Sequence, residues 1–120
     1  MANMFIKSGE QPRYFSFSGV NSTTAVAASY PIYKESPYSS FQAIVTGTGA
    51  VTAAIDIQVS NETDTLNGVK SNWITIATIS LSGTTTATDG FTTVAPWRYV
   101  RANVTARSGT GATVEIIMGV

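Results

Sequence analysis

Two carboxylates are the first groups in this chain that could do chemistry. Asp56 and Glu115 each sit in a strand-like run, on the polar side of its alternation. Across a sheet they could act as the acid and base of a glycoside hydrolase. Their spacing imposes no such meeting, and an ordinary exposed strand charge accounts for each. Nucleophilic catalysis needs a base beside the nucleophile, usually histidine, and the chain has none. The formal serine–lysine pairs, Ser8 with Lys7 and Ser71 with Lys70, have no motif around them. The run Asn61-Glu62-Thr63-Asp64 gathers oxygen ligands that suit calcium, yet it lacks the fixed spacing and glycine of a calcium loop. A solvated turn is the simpler reading. With cysteine absent as well, zinc and softer metals lose their usual ligands and no disulfide can form. The expectation is a protein that is not an enzyme, with no catalytic residues, no metal and no cofactor.

Binding chemistry is better represented. In Trp97-Arg98-Tyr99-Val100-Arg101, strand alternation places Trp97, Tyr99 and Arg101 on one face and Arg98 on the other. Two rings and a guanidinium in a row could stack on sugars or bases. They could equally pack across strands or into a subunit contact, since Trp, Tyr and Arg dominate interface energies. Packing or an interface is favoured, because one short cluster does not make a groove. A second aromatic group, Phe5, Tyr14, Phe15, Phe17, Tyr30 and Tyr33, poses the same choice. Residues 1–40 could supply strands to the fold, act in part as an arm that docks on a neighbour, or both. Pro12, Pro31 and Pro37 keep that segment extended and disfavour central strands. The candidate interface is therefore Phe5, Tyr14, Phe15, Phe17, Tyr30, Tyr33, Trp97, Tyr99 and Arg101. Three tripeptides, beginning at Asn21, Asn61 and Asn103, match the N-glycosylation acceptor. A chain this rich in Ser and Thr produces that pattern by chance.

These side chains must be held by strands. Residues 41–46 read as a strand that ends in the turn Gly47-Thr48-Gly49. From 51 to 60 the chain alternates, with Ala53, Ile55, Ile57 and Val59 on one face and Thr52, Asp56, Gln58 and Ser60 on the other. That period of two predicts a half-buried strand. Residues 61–72 are polar, with Asn67-Gly68 as a turn signal. In 73–81 the pattern changes parity: Ile74 and Ile76 share one face, Ile79 and Leu81 the other, which predicts a bulge near Ala77. Residues 82–90 read as a connection, 91–94 and 97–105 as strands, 107–111 as a tight turn and 112–118 as a final strand. No window has a helical period. The fold class is all-β: an antiparallel β-sandwich or jelly-roll of six to eight strands without substantial helix, in one domain spanning 1–120.

Composition limits the partners. The chain has 120 residues, 43% of them hydrophobic and only 12% charged, about half the usual charged share of ~25%. Seven basic residues balance seven acidic ones, so bulk electrostatics gives no attraction to nucleic acid or to an anionic membrane. Short hydroxyl side chains must wet the surface, and they lose little rotamer entropy when a neighbour covers them. The opening residues carry Lys7, Glu10 and Arg13 before any long apolar run. That pattern predicts no secretory signal and a cytosolic place of synthesis.

From about residue 41 onward the sequence resembles small β-sandwich proteins encoded among the structural genes of tailed bacteriophages. The resemblance is carried by Gln58-Val59-Ser60-Asn61 with Trp73 after a loop, by the run Ala95-Pro96-Trp97-Arg98-Tyr99-Val100-Arg101-Ala102, and by Gly109-Thr110-Gly111-Ala112-Thr113-Val114. It implies a virion protein, in particular a capsid decoration or cement protein bound to the major capsid protein or other virion proteins. Such proteins are often dimers or trimers, use no cofactor and are assembled in the host cytoplasm. Two alternatives stay open. One is a tail, adaptor or fibre-associated virion protein. The other is a carbohydrate-binding module that uses Trp97, Tyr99 and Arg101.

Overall fold

The structure is a computed structural model that describes residues 13–21, 24, 26–62 and 72–120. Its strands are β1 (Tyr14–Ser16), β2 (Ile32–Tyr33), β3 (Tyr38–Thr46), β4 (Val51–Ser60), β5 (Ile74–Gly83), β6 (Thr86–Val94), β7 (Tyr99–Ser108) and β8 (Thr113–Gly119). Among the described residues there is no helix. The strands form two four-stranded sheets, ordered β1-β8-β3-β6 and β2-β7-β4-β5, with every neighbour antiparallel. The chain is in effect one long ribbon doubled at its middle: β4 pairs with β5, β3 with β6, β2 with β7 and β1 with β8. Wrapping that ribbon sends alternate pairs to opposite sheets, and β3–β8 and β4–β7 hydrogen bonds close the wrap. This is the strand order of a jelly roll.

Alternation along each central strand fixes which side is buried. Val51, Ala53, Ile55, Ile57 and Val59 of β4 face Phe41, Ala43 and Val45 of β3 and Val114, Ile116 and Met118 of β8 within one core. Each Val, Ile, Phe or Met among them taken fully from water contributes roughly 1.5–3 kcal/mol. Phe17, Phe41 and Phe91 form an aromatic row through the β1-β8-β3-β6 half, with centroid separations of 6.3 and 5.1 Å.

The parity change in β5 is a bulge. Ile57 lies opposite Ala77 and Gln58 opposite Thr75, so Ile76 is the extra residue. A second bulge sits at Thr105, where Ala54 faces Ala106 but Ile55 faces Val104. The turn into β8 depends on glycine: Gly109 and Gly111 have φ of 118° and 64°, and a Cβ on Gly109 would lie 2.6 Å from the Ala50 carbonyl oxygen.

Two expected boundaries are corrected. The strand expected at 97–105 spans Tyr99–Ser108 and so takes in the start of the turn expected at 107–111, and the larger change is at 82–90. Residues 82–90 are mostly strand: β5 runs on to Gly83, and β6 begins at Thr86 and pairs with β3 from Thr46↔Thr86 to Tyr38↔Val94. An edge strand buries little of either face, so its Thr, Asp and Gly residues blur the alternation that reveals a strand.

Two polar side chains are built into this frame. The Asn21 carboxamide acts as a piece of strand beside β8, donating to the Ile116 carbonyl at 2.9 Å and accepting from the Ile116 N–H at 2.7 Å. Lys34 is buried, and its ammonium donates to the Ser36 carbonyl at 2.7 Å and to the Ser39 hydroxyl. Desolvation lowers its pKa from the usual lysine value.

Candidate interaction surface

The outer face of β1-β8-β3-β6 is assembled from the residues that alternate away from the core. Register aligns Tyr14, Gly119, Ser40 and Thr92 in one cross-strand row and Tyr38 beside Val94 in the next. Of the strand residues on this outer face only Glu115 is charged; the rest are Ser, Thr, Gln, Gly, Ile, Val and Tyr. Tyr14, Tyr38 and Val94 are 68%, 66% and 66% exposed. They flank a shallow trough of about 600 Å³ whose floor includes Ser40, Thr92 and Gly119. Gly119 makes the floor possible. A Cβ there would come within 2.8 Å of the Ser40 hydroxyl oxygen and 3.3 Å of the Tyr14 ring. A second hollow of about 540 Å³ continues along the sheet past Gln42, Gly90 and Ile117. The face thus offers rings, methyls and neutral hydroxyls, which suits a neutral partner surface or a sugar face.

Both outer faces carry cross-strand polar bonds, such as Gln42 to Thr88 at 3.0 Å on the first, but on β2-β7-β4-β5 the charged and aromatic groups are engaged as well. The Arg101 guanidinium stacks over Trp73 at 4.5 Å, and its Nε donates to Gln58 Oε1 at 2.8 Å. Gln58 Nε2 donates in turn to the Thr75 hydroxyl at 3.2 Å. Thr78 donates to Asp56 at 2.7 Å. Partial burial lowers the Arg101 pKa from its usual value. Tyr33 and Tyr99 meet edge to face at 5.6 Å and 61°.

The expected row of Trp97, Tyr99 and Arg101 does not form. β7 begins at Tyr99, and just before it the Trp97 N–H turns back to the Ala95 carbonyl at 2.8 Å. Alternation therefore does not reach Trp97, which packs against the core while Arg101 lies on the outer face. The ring that Arg101 uses is Trp73, the residue just before β5, which lies on the far side of β4 from β7. Tyr99 is only 6% exposed. Phe17 is fully buried and Phe15 packs on the core, so both serve the fold. Tyr14, Tyr30 and Tyr33 remain exposed, but only Tyr14 borders the trough. Phe5 lies outside the described residues. Sequence reasoning passed over Tyr38 and Val94, although their exposure follows from the parity of Phe41 on β3 and Phe91 on β6.

The catalytic possibilities separate in space. Asp56 is on the outer face of β4 and Glu115 on the outer face of β8, in different sheets with the core between them. They are not a pair. Asn61 accepts from the Arg98 N–H at 2.8 Å, and Glu62 accepts from the Asn72 N–H at 3.0 Å. Asn61 is thus tied to the residue before β7, and Glu62 to Asn72. Thr63, Asp64, Lys70, Ser71, Lys7 and Ser8 lie outside the described residues, as does the Asn67-Gly68 turn. Among the described residues, no group of three or more His, Cys, Asp or Glu could hold a metal. No protein-family model, curated protein or solved structure matches the chain.

Proposed function

We propose that this chain is a non-enzymatic structural protein of a bacteriophage virion, bound to the capsid surface as a decoration or cement protein and assembled in the host cytoplasm. The observation that carries the reading is the outer face of β1-β8-β3-β6: an almost uncharged sheet surface with protruding Tyr14, Tyr38 and Val94. Such a surface loses little rotamer entropy and few hydration shells when a protein neighbour covers it. The resemblance of residues 41–120 to small phage structural proteins supplies the biological setting. Jelly rolls are frequent in viral coats, and that point is fold-level analogy alone. Major capsid protein is the expected partner.

The test is quantitative mass spectrometry of purified source particles. Near one copy per capsid subunit, or a simple fraction of that, supports decoration. A few to a few dozen copies would move the protein to the tail or an adaptor, and absence would sink the virion reading.

The trough itself favours one second reading, a carbohydrate-binding module. Rings at Tyr14 and Tyr38 beside the hydroxyls of Ser40 and Thr92 suit stacking on a neutral sugar. This site replaces the Trp97, Tyr99 and Arg101 row. Glycan-array binding that is lost in Tyr38→Ala would establish it, and an array without hits would remove it.

A further inference from the structure

The four sheet edges are protected to very different degrees. An edge strand presents unpaired N–H and C=O groups, and proteins that stay monomeric blunt such edges with short strands, prolines, bulges or inward-pointing charges. β1 is 3 residues long and β2 is 2. Their side of the sandwich also carries Pro31, the buried Lys34 and the Arg13–Glu35 ion pair at 3.7 Å. β6 is 9 residues long but is guarded by Asp89. That residue shares the inward parity of Phe91, and its carboxylate accepts from the Gly90 N–H at 2.8 Å, so a charge and an occupied donor interrupt the edge.

β5 has none of these guards over most of its length. It runs for 10 residues without a charge or a proline. Its bulge at Ile76 lies near one end, which leaves Ala77–Gly83 regular. Nothing among the described residues pairs with its outward side.

We propose that this edge is the self-association surface: β5 of one copy pairs antiparallel with β5 of a second copy about a twofold axis at Ser80. The pairing joins two β2-β7-β4-β5 sheets into one continuous eight-stranded sheet. A second copy is the occupant because the strand is self-complementary in this register. Ile79 falls opposite Leu81 of the other copy, so the buried parity of the two strands stays in register across the seam. Exposed Thr78 falls opposite Ser82, and Ser80 opposite itself. No like charges meet anywhere along the pairing, and an isologous twofold contact closes on itself, so it ends at the dimer. The inference deepens the oligomeric part of the proposed function and names the surface.

Sedimentation velocity of the full chain tests it. The wild type is expected to form a dimer. Ser80→Lys and Ser80→Glu each place like charges face to face at the axis, and should weaken the dimer at least about tenfold. Ser80 is exposed on the outer face, so circular dichroism should show both variants folded. An equimolar mixture of the two variants should restore dimers, because lysine then faces glutamate. A monomeric or trimeric wild type, an undiminished Ser80→Lys dimer, or a mixture that stays monomeric overturns the pairing. A chain found in particles yet monomeric in solution overturns the pairing alone and leaves the virion reading standing.

Discussion

The two outer faces of the sandwich use similar residue types to opposite ends. On β2-β7-β4-β5, Arg101, Trp73, Gln58, Thr75, Thr78 and Asp56 form a ladder in which each group finds its partner within the same chain. On β1-β8-β3-β6, Tyr14, Tyr38 and Val94 stand exposed over a trough. The first face therefore contributes to stability, while the second presents surface. The lesson is that aromatic and polar composition does not distinguish a structural face from an interaction face. What distinguishes them is whether the large side chains are engaged within the chain, since small polar groups pair on both faces.

That contrast can be broken, starting with the core both faces share. Ile57→Ala should lower unfolding free energy by about 3 kcal/mol, since it leaves a cavity under β4; urea denaturation reads it. A loss below about 1 kcal/mol would mean that the core collapses readily at this point. Asn21→Ala should cost about 2 kcal/mol, because the Ile116 N–H loses its partner and the Ile116 C=O keeps only the Phe17 N–H. Arg101→Ala should cost about 1 kcal/mol through the lost stacking on Trp73. Tyr38→Ala should stay within about 0.5 kcal/mol, as expected for an exposed surface position. Equal losses for Arg101→Ala and Tyr38→Ala in matched melts would erase the distinction between the faces.

The smallest effect concerns Lys34. Its folded pKa is lowered by burial, so between that pKa and the usual lysine value the unfolded chain holds more protons than the folded one. Stability should therefore gain a contribution as pH rises through that window, and the desolvation penalty is present in full below it. Lys34→Met should remove this pH-dependent component, which thermal melts between about pH 8 and 11 would show. If the two proteins keep parallel pH profiles, Lys34 is not the source.

Strand content was legible where burial on one face forces a period of two. β4 was read with its bounds intact, and the parity change in β5 located the bulge that the register shows at Ile76. Only the second half of β6, residues 91–94, is legible, because a partly buried edge strand has no strong inner face to write into its sequence. The candidate interface was legible only in part. Composition points to Tyr14 but not to Tyr38 and Val94, and the alternation that would align Trp97 with Tyr99 and Arg101 is interrupted by the backbone turn at Ala95.

By itself the sequence determined an all-β chain with a charge-poor surface and no histidine or cysteine chemistry, because composition and short-range periodicity are local properties. The tertiary structure alone decided which strands share a sheet, and so which residues meet. Sheet assignment put Asp56 and Glu115 on opposite sides of the core, brought Trp73 under Arg101, and drew Phe17 into the row with Phe41 and Phe91. It also left β5 as the unguarded edge. Those outcomes depend on hydrogen-bonded pairings between strands far apart in the chain, which local pattern does not encode.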